Sequence, residues 1–507
     1  MKKTLVILML IFVFHGLFYE TRAGLNTLLF SLGLTVALAW LKPHYLRRPK
    51  VRWVLGGWLL SAVAVVTHHS LLSELVYWGC FVVSWGYVLE QASRFWVFGL
   101  LESGLSFFTN WWYSLSQLSW FRERGNKPRL AKAWQQVRLV VIPTLLLIPF
   151  YLLYYQANTG FQVLGQWLSS WLRPLFQFDL QPTAIVHFLL GGMFITAALS
   201  SRPGVGFFRQ LERQWYYKLR RQRGPLSRTT PINGLRTEYR IAMRSFSALN
   251  ALLLLINGID LATVWFHTQN RTAAQLSQYV HEGTWLLILS ILLAIGVVVV
   301  FLRGNLNFYP ASRPLRYLIY LWLVQNAFLG LSVGVRNWHY IQAYQLAHGR
   351  IVVFFFLALC WYGLYTVYRK VEGPLTTYFL LQYNGWALGV ALLLSSSVNW
   401  DSFITSYNLR HGSADYYYLQ SGLKNNLSPI LQHWYIQDTK ERARWSTEAI
   451  ARRCRFAVRN YEAFDWRSWN WSDYRQYKLA KAWLEALEAT KKPPRSGVET
   501  EAEPLTN

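Results

Sequence analysis

Six ionisable residues in the second half of this 507-residue chain have the types and spacing for chemistry: Asp260, His281, Glu282, Arg336, His339 and Arg350. Asp, Glu and His together can hold a divalent metal. His281 beside Glu282 or Asp260 can serve as a general base. The two Arg can grip a phosphate or a carboxylate. Any of these would suit a lipid headgroup. No spacing among the six is a catalytic or metal-binding fingerprint, so the sequence assigns no catalytic residue, no metal and no cofactor, and leaves open whether the chain is an enzyme. The bland alternative is that Asp260 and Glu282 neutralise Arg336 and Arg350 and lock four helix ends together, with the histidines in the headgroup layer.

The elements that must position these residues are apolar. The chain is 53% hydrophobic and 17% aromatic but only 15% charged, and runs of membrane length recur along most of it. Because the bilayer core offers no water to backbone groups, each run of about 17 to 25 apolar residues reads as a crossing helix. The runs fall near 4–19, 25–41, 53–67, 71–89, 137–155, 183–200, 245–266, 283–303, 315–334, 350–368 and 377–397. The expected fold is therefore all-α, a polytopic helical membrane protein with about eleven transmembrane helices and a small helical C-terminal extramembrane domain. The expected division is 1–398 membrane domain, 399–490 helical tail and 491–507 disordered end. In the tail, Ile450, Cys454, Ala457 and Tyr461 recur at helical spacing, whereas the last stretch is short, polar and Pro-containing.

The first run, after Lys2 and Lys3, also has the basic start and short apolar core of a signal peptide. Glu20-Thr21-Arg22-Ala23-Gly24 is a poor cleavage site, however, and a second apolar run follows at once.

Fifty-one Lys and Arg against 24 Asp and Glu give a formal charge of +27. In a soluble chain this would suggest nucleic acid. Here the charges cluster between apolar runs, in the segments 42–52, 122–138 and 201–244, as positive-inside connections do. The expected partners are the bilayer and the anionic headgroups of its cytoplasmic face, at roughly 1 kcal/mol per Lys or Arg near the surface, with no nucleic acid. This parity places the N-terminus in the cytoplasm and the tail outside, provided that the aromatic stretch from Phe95 to Tyr113 lies in the interface or re-enters rather than crosses. The cysteines, Cys80, Cys360 and Cys454, offer no disulfide framework or zinc spacing.

Within the run 245–266, Asn250, Asn257 and Asp260 share a face: at 100° per residue, Asn257 lies about 20° from Asn250 and Asp260 about 60° further back. Asp260 comes near the outward end, where His281-Glu282, Arg336 to His339 and His348 to Arg350 should also arrive. Other polar intramembrane residues, His187, Gln325, Asn326 and Asn384, can line a solute pathway or bond neighbouring helices. The His68-His69 pair, with Glu74, sits in a short turn. The stretch Asp465 to Trp471 can stack on sugars or bases, or pack a small domain against the membrane surface.

Tyr279-Val280-His281-Glu282-Gly283, Trp322 to Asn326, Arg336 to Tyr340, Tyr344 to Arg350, Asn399-Trp400-Asp401 and Tyr407-Asn408-Leu409 give the chain a family likeness over about 240–420. It resembles two related bacterial families of multi-pass membrane proteins, classed as domains of unknown function four-one-five-three and four-one-seven-three. The tract Tyr344-Gln345-Leu346-Ala347-His348-Gly349-Arg350 departs from the family pattern, which has Gly and Thr before the Arg. The resemblance implies a bacterial cytoplasmic-membrane protein and supplies no substrate, cofactor or catalytic residue. Two functional readings remain: a binding or sensory component of the cell envelope with a protein partner there, or a transporter or lipid-directed enzyme with an outward-facing polar site.

Overall fold

The computed structural model describes residues 2–89, 94–104, 182–199, 234–265, 288–302, 312–411, 415–436 and 445–491, with short pieces between 210 and 219 and between 305 and 309. The described residues are helical, with no strand among them beyond one isolated bridge between Lys218 and Leu375.

Ten apolar helices lie at ten of the eleven expected positions. They are α1 (Lys2–Phe18), α2 (Leu25–Leu41), α3 (Pro49–His68), α4 (Leu71–Leu89), α5 (Pro182–Leu199), α6 (Gly234–Asp260), α7 (Ile288–Phe301), α8 (Arg313–Tyr344), α9 (His348–Glu372) and α10 (Thr377–Ser396). Six of them (α3, α4, α6, α8, α9 and α10) are long and apolar enough to cross a membrane. Within α1, α2, α5 and α7 the apolar helix is shorter. The eleventh expected run, 137–155, lies outside the described residues, as do 105–113 of the aromatic stretch and the end 492–507. The count of about eleven is therefore not shown.

Side chains on these helices divide between an inward set and an outward set. Leu34, Trp58, Tyr77, Phe246, Ile291 and Val333 are buried, while Val36, Leu254, Leu255, Leu293 and Val324 are exposed. Exposed aliphatic faces on both sides of buried ones are what a lipid solvent permits and water does not.

The helices form two packed groups. One apolar core joins α1 to α5, and a second joins α6 to α10. They meet where α10 packs on α3 and α4, with Trp386 against Tyr87 and the His68 Nε2 2.7 Å from the Ser396 carbonyl. A short helix at 96–104 lies against this junction. A Cβ on Gly86 would strike the Gly99 backbone, so the two segments approach through glycine. Glu212, buried, fastens the start of this piece by accepting from the backbone N–H groups of Arg94 and Phe95 and from the Tyr378 hydroxyl.

Among the described residues the tail has four α-helices: α11 (Trp400–Arg410), α12 (Leu427–Ile436), α13 (Thr447–Glu462) and α14 (Trp471–Lys491). Asn399 caps α11 by accepting from the Ser402 N–H, and Ser446 caps α13 by accepting from the Ala449 N–H. Their common core includes Leu419, Ile430, Cys454 and Trp483, together with Ile341 from the last turns of α8 and Leu346 just beyond it. The tail is thus built onto the ends of the long helices. Those ends are the turns at 19–24, 69–70 and 345–347. The basic connection that begins at Lys42, the start of α8 at Arg313, and the turn at 373–376 lie at the opposite end.

Two of the tail-end turns contain a non-glycine residue in the left-handed region, Glu20 (φ 54°) and Gln345 (φ 69°). Such a conformation costs roughly 1–3 kcal/mol and persists where neighbours over-determine it. At the second turn the tail residue Asn408 bonds both backbone groups of the adjoining Leu346.

Candidate functional site: a polar seam and a basic cavity

Along the interface of α6 and α8 the polar residues of the two helices form a ladder. Asn250 donates to the Leu318 carbonyl (3.0 Å), Gln325 Nε2 donates to Asn250 Oδ1 (2.7 Å), and Asn257 donates to the Gln325 carbonyl (3.1 Å). At the tail end of the seam the Arg336 guanidinium donates to Asp260 Oδ1 in a buried ion pair. The shared face of Asn250, Asn257 and Asp260 is therefore the face that packs on α8. Among the described residues, Asn257 Oδ1, Gln325 Oε1 and Asp260 Oδ2 are buried without a hydrogen-bond partner. Acceptors so placed are costly to bury and are normally satisfied by water or a ligand.

Of the six expected site residues, the structure brings Asp260 and Arg336 together. Arg350 turns away: its guanidinium stacks on the Tyr340 ring at 4.2 Å and donates to the Tyr344 carbonyl at 2.6 Å, so it holds the turn after α8. His339 is half-buried in the last turns of α8. His281 and Glu282 lie outside the described residues. No group of three or more His, Cys, Asp or Glu that could hold a metal occurs among the described residues.

The remaining intramembrane polar residues bond to neighbours. Asn326 donates to the Trp322 carbonyl, Asn384 to Thr366 and to the Leu380 carbonyl, and His187 lies 3.3 Å from His15. His69 pairs with Glu74 at 2.5 Å.

The tail docks on the turns through backbone atoms. The Arg22 N–H donates to Ser468 Oγ (2.9 Å), the Leu25 N–H to the Trp469 carbonyl (2.8 Å), and the Arg467 guanidinium to the Gly16 carbonyl. Asn425 donates to the His69 carbonyl (2.9 Å). Asp401 accepts from the backbone N–H groups of Lys424 (3.0 Å) and Asn425 (2.8 Å), and lies 3.0 Å from His348 Nε2. Within the stretch Asp465 to Trp471, Arg467, Ser468 and Trp469 make this clasp, while Trp466 and Trp471 stay exposed.

Between α13, the loop at 420–427 and these turns lies a cavity of about 870 Å³. Arg22, Lys424, Arg452 and Arg453 line it, with Asp473 its single acidic residue. Burial lowers the Arg453 pKa from its ordinary value, but the side chain stays charged and donates to four backbone carbonyls and Asn426. A smaller hollow of about 460 Å³ shares Arg22 and His69 with it and reaches Phe18 and Trp78 on α1 and α4. Sequence reasoning missed this cavity, because its cations come from three segments that only docking brings together. The one signal was an excess of Arg in the tail.

The family model described as Domain of unknown function (DUF4153) matches residues 54–432, which is most of the chain, and the chain belongs to that family. Membership of the second family named above is not shown. Neither a curated protein nor a solved structure matches.

Proposed function

We propose that this member of a family of unknown function is a binding or sensory component of the bacterial cell envelope, seated in the cytoplasmic membrane by multiple passes. Its N-terminus is cytoplasmic and its tail outward, and its basic connections rest on anionic headgroups rather than on nucleic acid. The observation that carries this reading is the clasped tail. A module outside the bilayer that shares a core with Ile341 and Leu346, and bonds to the turns at 22–25 and 69, can pass a change at its surface to the helices beneath. The test is photo-crosslinking in living cells from exposed tail positions such as Tyr417 and Ile436, with the basic end probed from Arg313. Capture of a discrete envelope partner supports the proposal. Absence of a crosslinked partner from both faces counts against it.

A transporter or lipid-directed enzyme is the second reading, favoured by the three unpartnered oxygens of the α6–α8 seam. In that reading the seam is wet and Asp260 faces a solute as well as Arg336. Exclusion of water from the seam, measured by hydroxyl-radical footprinting of Trp265 and Trp322, would remove it.

A further inference from the structure

The cavity under the tail has a charge imbalance that its own residues do not resolve. Arg453 is committed to five acceptors inside the tail. Arg22 is oriented by Phe464, whose ring it covers at 4.2 Å. Among the described residues, Lys424 and Arg452 are exposed and have no carboxylate within ion-pairing distance. The acidic groups nearby are already engaged: Asp473 Oδ2 accepts from Asn470, and Glu74 is bound to His69. Three cations therefore face one space against the single carboxylate of Asp473, and this net positive setting favours a phosphate or carboxylate.

The shape says more than the charge. At about 870 Å³ the space exceeds a bare inorganic ion and suits a headgroup with a polyol or sugar attached. The adjoining hollow leads from Arg22 to Phe18 in the last turn of α1 and to Trp78 in α4, two aromatic rings 5.7 Å apart at the ends of apolar helices. A molecule anionic at one end and apolar at the other fits this sequence of surfaces, whereas a soluble anion leaves the hollow unused.

We propose that the two connected cavities form a site for a phosphate-bearing membrane amphiphile. Its phosphate meets Arg22, Lys424 and Arg452, and its chain leaves past Phe18 and Trp78 toward the bilayer. This rests on the binding reading above and gives it a ligand class. It does not depend on which face of the membrane the tail occupies, nor on a protein partner, so the two can fail separately.

The test uses the full chain in nanodiscs of mixed phosphatidylcholine and phosphatidylglycerol, with retained phosphatidylglycerol counted by native mass spectrometry. Arg22→Ala/Lys424→Ala/Arg452→Ala should lower retention roughly tenfold or more. Arg47→Ala/Arg48→Ala/Lys50→Ala, which removes as many charges at the opposite end, should leave it near wild type. Because Arg22 also touches Phe464, a second variant guards against misfolding: Phe456→Glu places a carboxylate on the exposed wall of the cavity and should lower retention alone. Glycerol 3-phosphate and inorganic phosphate, tested separately by thermal shift, distinguish a soluble source. Equal retention in wild type and both cavity variants, an equal fall in the opposite-end control, or soluble phosphates binding as tightly as the lipid would each overturn the proposal.

Discussion

The side-chain amide of Asn408 grips both backbone groups of Leu346: it accepts from the Leu346 N–H at 2.8 Å and donates to the Leu346 carbonyl at 2.9 Å. One tail residue thus closes the turn between α8 and α9, where Gln345 holds its left-handed conformation. Asn408→Ala leaves two buried backbone groups unmatched, at roughly 1–3 kcal/mol each. Hydrogen exchange in residues 344–350 should rise sharply, and unchanged protection there would show that the turn stands without the tail.

The buried pair of Asp260 and Arg336 makes an asymmetric prediction. Arg336→Met strands a buried carboxylate and should cost about 3–5 kcal/mol, whereas Asp260→Leu/Arg336→Met should recover most of that loss. Thermal unfolding in detergent of the two variants beside wild type checks the order. A double variant no better than the single one would mean that the pair is not the seam's lock.

Gly24 lies where the tail meets the first turn. An added Cβ would stand 2.5 Å from the Ser468 carbonyl oxygen and 2.7 Å from that of Trp469. Gly24→Ala should therefore push the clasp open, at about 1–3 kcal/mol, and expose residues 464–470 to limited proteolysis. Gly16→Ala, where the added atom meets nothing within 4 Å, should cut no faster than wild type.

The Asp401 contacts set a pH dependence. Burial acts to raise its carboxyl pKa, but hydrogen bonds from His348 and from the backbone N–H groups of Asn425 and Lys424 outweigh it, and the group sits below its ordinary value. A carboxyl depressed in the folded state contributes stability that is present above its unfolded pKa and disappears as pH falls through the folded value. Tail docking, followed by hydrogen exchange at 419–427, should hold at neutral pH and weaken below about pH 4. Asp401→Asn should flatten that dependence, and an unchanged profile would assign the titration elsewhere.

The orientation can be read with one engineered thiol. Ser421→Cys is exposed in the tail loop, while the native Cys360 and Cys454 are buried and burial pushes the Cys454 thiol up to about 12. An impermeant maleimide should label Ser421→Cys in intact spheroplasts. Labelling only after lysis would invert the proposed topology.

The positions of the helices were legible because a run of apolar residues long enough for a bilayer leaves little alternative. The shared face of Asn250, Asn257 and Asp260 was legible from helical phase alone, and it is the face that meets α8. What Asp260 would meet was not: Arg336 and Arg350 are equivalent by charge and depth, and only the Tyr340 ring and the Tyr344 carbonyl decide that Arg350 goes elsewhere. The tail's docking was hidden for a different reason. Its bonds run through the backbone of Arg22, Leu25, His69 and Trp469, which any side chain supplies, so no residue type announces them. The basic cavity inherits that invisibility.

The clasp between Arg22 and Ser468 joins residues 446 positions apart. At a synthesis rate of 5–20 residues per second, the first hairpin waits roughly 20 to 90 seconds for its partner to be made. Biogenesis of this protein therefore has a late closing step. A nascent chain can insert its helices one after another, but its amino-terminal turn stays open to chaperones and proteases until the final hundred residues arrive, and a product truncated before residue 464 cannot shut at all.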